Sequence, residues 1–136
     1  MIMFQVDANH PTPLYHQLER SIRFAIATGK LRIGEQLPTV RQLAVELRIN
    51  ANTVAKVYAE LERAGVVETR RGVGTFVSAR PHEAASRRDR DRQLRELADH
   101  FIAETGTRGF SIDDLIEHLH GRRKKVTQVD SLRSRR

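Results

Sequence analysis

The apolar positions of this 136-residue chain fall into short, well-punctuated periodic runs. In "TPLYHQLERSIRFAIATGK", starting at Thr12, the residues Leu14, Leu18, Ile22, Ala25 and Ile26 share one face of a 3.6-residue helix. Thr12 is placed to cap that helix, Pro13 suits its first position and Gly29 its end. The connector "LRIGEQLP" interrupts the pattern with Gly34 and Pro38. A second stripe, Val40, Leu43, Ala44 and Leu47, has i, i+3, i+4, i+7 spacing and is preceded by a capping-box pair, Thr39 and Gln42. Only "RINA" separates it from a third, Val54, Val57, Tyr58 and Leu61, for which Asn50 is the expected cap and Gly65 the stop. Two short helices joined by a tight turn predict a helix-turn-helix.

After Gly65 the period changes. "VVETR" and "TFVS" are short β-branched runs on either side of "RGVG", which predicts a β-hairpin, and three helices followed by a hairpin is winged-helix order. "ARPHEAASRRDRD" shows no periodicity, so the first domain is expected to span 1–80, with a linker at 81–92 that runs into a further helix. Two amphipathic helices are expected over 93–121: Leu94, Leu97, Ala98, Phe101 and Ile102 line the first, and Ile112, Leu115, Ile116 and Leu119 the second. Ser111 with Asp114 forms a capping pair, and Phe110 is placed to staple onto Leu115. So small a hairpin cannot bury both stripes within itself and needs the first domain or a second copy; the second copy is the favoured expectation. The fold class is therefore mainly α with a small β-hairpin, a winged helix-turn-helix followed by a two-helix dimerisation region. The composition of 122–136 predicts a basic, disordered tail.

Charge sharpens this picture. A net charge of +7 and a pI near 10.7 suggest a polyanionic partner, and the positive charge gathers at both ends around an acidic middle. A solvated surface would give the same surplus. There are no cysteines, which removes disulfides and thiol chemistry and suits a reducing compartment. With no signal-peptide pattern and no apolar run long enough to cross a bilayer, the expected location is the cytoplasm.

The third stripe leaves Asn52, Thr53 and Lys56 on the opposite side of its helix. An Asn amide can engage adenine bidentately, and a Thr hydroxyl or methyl can meet base edges in a major groove. First-turn capping explains the same residue types, and the helix alone leaves both readings open. In the hairpin, Arg70 and Arg71 adjoin Gly72 and Gly74, a pattern suited to phosphates or a minor groove. A plain glycine turn explains the glycines but not the arginines. His118 and His120 point about 200° apart on a helix, with no acidic residue completing a metal site, and no serine sits in a nucleophile motif. No metal, no cofactor and no catalysis are expected. A winged helix that binds protein, or nucleic acid without sequence preference, is the alternative.

Residues 11 to 78 resemble the GntR family of bacterial transcription regulators. The resemblance is carried by "G-K-L-x-x-G-E-x-L-P-T-x-R-x-L-A" from Gly29 to Ala44, "N-x-N-T-V" from Asn50, "Y-x-E-L-E-R-x-G" from Tyr58 and "R-R-G-x-G-T-F-V" from Arg70. The opening "PTPLYHQL", "NANTVAKVY" and the short chain after residue 80 are most similar to the YtrA subfamily. That likeness implies a dimeric repressor, often of a transporter operon, on a double-stranded DNA operator, with two dimerising helices replacing a large effector domain. It implies that Arg41 meets a phosphate or base and that Asn50, Ala51, Asn52 and Thr53 stand where the family reads its operator. Arg71 and Gly72 match the wing tip, flanked by Arg70, Gly74 and Thr75. Two positions depart from the family pattern: Ala55 stands where many members carry arginine, with Lys56 beside it, and Ala51 replaces a frequent arginine between the asparagines. Base preference is expected to differ accordingly. An effector is not specified by these residues.

Overall fold

The computed structural model describes residues 4–78 and 87–122, and the chain divides into two compact units, Met1–Pro81 and His82–Arg136. In the first unit, helices α1 (Leu14–Ala27), α2 (Val40–Leu47) and α3 (Ala51–Arg63) precede a hairpin of β1 (Val67–Arg70) and β2 (Gly74–Val77). The strands pair antiparallel with Val67 opposite Val77 and Arg70 opposite Gly74.

Each predicted stripe of this unit supplies the core. Leu18, Ile22 and Ala25 from α1 meet Leu43 and Ala44 from α2 and Val54, Val57, Tyr58 and Leu61 from α3, all buried, with Val67 and Val77 closing the hairpin side. Full burial of one such aliphatic side chain contributes about 1.5–3 kcal/mol. Phe4, Leu31 and Leu37, which lie outside any periodic run, are as deeply buried as the stripes. No described side chain leaves a buried polar atom unpaired.

The caps explain where the helices begin. At α2 the Thr39 hydroxyl accepts the Gln42 N–H at 3.1 Å while the Gln42 amide oxygen accepts the Thr39 N–H at 2.9 Å, so two otherwise orphaned donors are satisfied. Asn50 caps α3 by accepting the Asn52 N–H at 2.8 Å. At α1 the expectation fails: Pro13 is the N-cap and Thr12 makes no cap bond. The Gln17 amide instead gathers the preceding chain, donating to the Thr12 and Asp7 carbonyls and accepting the Asp7 N–H.

The second unit contains α4 (Arg87–Thr107) and a further helix, α5, that runs from 112 to the last described residue, 122. Helix α4 starts upstream of its first apolar stripe residue, because the "RRDRD" turn is itself helical, with Asp89 in the first turn and an Arg92–Asp89 pair at 3.5 Å. The Ser111–Asp114 capping pair forms at α5. Neither apolar stripe is covered within the unit: α4 has no buried residue, and Leu94, Leu97, Phe101, Ile102, Ile112, Ile116 and Leu119 are exposed, Leu115 half-buried. Most of the basic tail expected at 122–136 lies outside the described residues, as does the first half of the 81–92 linker, whose second half is the start of α4.

Candidate nucleic-acid interface

The core stripe of α3 fixes which residues remain outside. With Val54, Val57, Tyr58 and Leu61 turned inward, Ala51, Asn52, Ala55, Lys56 and Ala59 are exposed and Thr53 is half-buried. Asn52 and Lys56 stand one turn apart, and among the described residues neither side chain has a hydrogen bond or ion pair. The alanines at 51, 55 and 59 form a low strip beside them, so a surface pressed against this face meets no bulky obstruction. Asn50 is partly committed, since its side-chain oxygen serves the cap and only its amide N–H groups remain to donate.

Helix α2 is held against α3 by more than apolar contact. The Tyr58 hydroxyl donates to the Pro38 carbonyl at 2.7 Å, clamping the entry of α2 onto the middle of α3, and burial pushes the Tyr58 pKa far up. That clamp fixes the start of α2, where Arg41 is exposed with no side-chain partner among the described residues. The turn between the helices passes through Arg48, whose φ of 57° and ψ of 46° are left-handed. It is the described non-glycine residue with positive φ, and this conformation costs an ordinary L-residue about 1–2 kcal/mol.

The two arginines of the wing are not equivalent. Arg70, at the end of β1, lies over the Phe76 ring with its guanidinium carbon 4.5 Å from the centroid, and it reaches back to Glu68 at 3.4 Å. Arg71 begins the loop, is exposed, and has no ion pair or side-chain hydrogen bond among the described residues. Gly72, with φ of 77°, lets the chain turn, and the Val73 N–H closes the turn on the Arg70 carbonyl at 2.9 Å. Thr75 is half-buried, its carbonyl taken by the Leu37 N–H at 2.8 Å.

The model for "Bacterial regulatory proteins, gntR family" matches residues 14–77, from the first turn of α1 to the end of β2. The uncharacterized HTH-type transcriptional regulator YhcF of Bacillus subtilis is 32% identical over 107 residues, which span 79% of this chain and 87% of YhcF. The chain belongs to the GntR family. Among its GntR-family relatives, the HTH-type transcriptional repressor YtrA of Bacillus subtilis is 43% identical over 76 residues, 56% of this chain and 58% of YtrA. Two solved structures share the fold: YtrA from Sulfolobus acidocaldarius, a GntR-family transcription factor, has a TM-score of 0.53 at 29% identity, covering 71% of this chain and 97% of that one. The AraR DNA-binding domain, solved in complex with operator ORX1, has a TM-score of 0.52 at 25% identity and covers 57% of this chain and 100% of that domain. As a GntR-family member this is a DNA-binding transcription regulator of the winged helix-turn-helix type, from a family of regulators rather than enzymes. Among the described residues no helix is long and apolar enough to cross a membrane.

Two features of the site escaped the sequence. The segment 34–37 bonds along β2 as an added edge, with Gln36 bridged to Phe76 and Gln36 Nε2 donating to the Val73 carbonyl at 3.1 Å. Nothing in the spacing connects position 36 to position 73. The left-handed turn at Arg48 was equally hidden, because arginine carries no signal for that conformation.

Proposed function

We propose that this chain represses transcription in the cytoplasm by occupying a palindromic operator as a homodimer, at an operon such as one encoding a transporter. What supports the base-reading part is the face of α3: Asn52 and Lys56 are exposed and, among the described residues, unpaired, Thr53 is beside them, and the helix beneath is fixed by four buried side chains. A helix that needed only to be soluble gains nothing from an asparagine in its first turn once Asn50 already supplies the cap. In this reading Asn52 and Thr53 contact base edges, with Asn50, Ala51 and Lys56 along the same groove. Arg41 meets a flanking phosphate, and Arg71 carries the wing tip to the backbone or minor groove, supported by Gly72 and Gly74. Arg70 and Thr75 buttress that tip. Residues 1–80 are the DNA-binding domain, 93–121 the dimerising helices, and 122–136 a basic extension. Pairing with a second copy is supported by the two uncovered apolar stripes of α4 and α5, since a stable chain does not leave so many large apolar side chains in water without a partner.

The test is a competition gel shift on the protein's own promoter region. Asn52→Ala is expected to cost about 1–3 kcal/mol on the operator, concentrated at one base position per half-site, and little on random DNA. Equal losses on both would remove Asn52 from base reading. No preference of the native protein for promoter over random DNA would favour a nonspecific binder, and no binding at all a protein-interaction module.

A further inference from the structure

The tip of the wing is tied to the body of its domain by a side chain from far away in sequence. Backbone bonds fasten 34–37 along β2: the Gly34 N–H donates to the Val77 carbonyl at 2.9 Å, the Val77 N–H to Glu35 at 2.8 Å, and the Leu37 N–H to Thr75 at 2.8 Å. These bonds stop at Thr75. Beyond it, residues 71–73 form a turn whose Val73 N–H is satisfied within the hairpin, and the Gln36 amide on the Val73 carbonyl leads back to the domain. Gly74 makes the approach possible. A Cβ at that position would stand 2.4 Å from Gln36 Nε2 and 3.3 Å from its Cδ, so the amide lies flush on the open face of the glycine. With φ at 145°, Gly74 is demanded by its backbone, and a side chain there would push the Gln36 amide out of its present place.

A solvent-exposed hydrogen bond of this kind adds little to stability, because water competes for both partners. What it does is select one setting of the loop at the tip, the part of the hairpin that those backbone bonds do not reach. We propose that Gln36 is a positioning residue of the DNA interface: it fixes the wing tip so that Arg71 meets DNA without first paying to order the loop. This rests on the reading of Arg71 as a DNA contact. Gln36 itself acts through the tip and touches no nucleotide.

The experiment is a double-mutant cycle in the full chain with Gln36→Met, which keeps length and removes the donor, and Arg71→Ala. Affinity for a promoter fragment and the thermal unfolding midpoint are measured for all four proteins. Loss of Arg71 is expected to weaken binding about tenfold, and loss of the Gln36 donor by about three- to tenfold with an unchanged midpoint. The double variant is expected to bind no more weakly than Arg71→Ala alone, because a tip without its arginine has nothing left to position. Additive losses would make Gln36 an independent DNA contact and overturn the proposal. Native affinity in Gln36→Met beside a weakened Arg71→Ala overturns it too, as does a lowered midpoint that accounts for the lost binding. Native affinity in Arg71→Ala refutes the wing reading itself, and the proposal falls with it.

Discussion

Arg48 is the residue at which this fold bears a local cost. The turn between α2 and α3 needs a left-handed residue to reverse direction after Leu47, and glycine adopts that conformation without the Cβ clash that arginine suffers. Glycine also loses more backbone freedom on folding, so the net gain from Arg48→Gly is smaller than the clash alone. Arg48→Gly is expected to raise the stability of the domain by about 0.5–1 kcal/mol, read as an increased midpoint in urea unfolding with an unchanged slope. A decrease would mean that the arginine side chain stabilises the turn. At this scale the sequence was a good guide where a side chain's role follows from helical phase: Asn52 and Lys56 had to be outside once Val54, Val57 and Tyr58 were inside. It gave no warning that Arg70 would fold back onto Phe76 and Glu68 while Arg71 stays unpaired among the described residues, because that difference arises from the register of the hairpin.

Elements were legible wherever one face had to be apolar. The three helices and the hairpin of the first unit stand where their periodicity placed them, and the capping box at Thr39 formed as the spacing required. Two things were not legible. The edge formed by 34–37 carries no alternation of its own, since only Leu37 of its side chains is buried and it borrows its order from β2. The first turn of α4 buries no side chain, so its helicity draws on the Arg92–Asp89 pair and helix-forming arginines, neither of which leaves a period in the apolar pattern. At α5, the Asp114 N–H donates to the Ser111 hydroxyl at 3.1 Å and the Ser111 N–H to the Asp114 carboxylate at 2.9 Å; the hydrogen bonds that the carboxylate accepts from Ser111, the backbone one first, hold its pKa below its ordinary 3.8. A carboxylate depressed in the folded state stabilises fully above its unfolded pKa and ceases to do so as pH falls through the lower folded value. The helix over 112–122 is therefore expected to fray as the pH is taken below about 3.8, seen as a drift of its Cα chemical shifts toward coil. Asp114→Asn should flatten that dependence, and an unaltered drift in that variant would assign it to other groups.

At the level of the whole molecule, the two units pose opposite problems. The first satisfies itself, with a closed core and polar groups left over on α3 and at the wing. The second, taken alone, leaves its apolar stripes in water: Leu94 is 68% and Phe101 61% exposed. A second copy offering the same stripes would cover them through an isologous, self-complementary contact, and the resulting two-fold would present two α3 helices to one duplex. Recognition helices related in this way read half-sites one helical turn apart, about 34 Å along the DNA. The measurement that tests this most directly is the stoichiometry and protection pattern of the complex on a promoter fragment, by sedimentation and hydroxyl-radical footprinting of the same sample. Two chains per duplex, protecting inverted half-sites whose centres lie one turn apart, is the predicted result. One chain per duplex, or two chains protecting DNA without inverted symmetry, would contradict it.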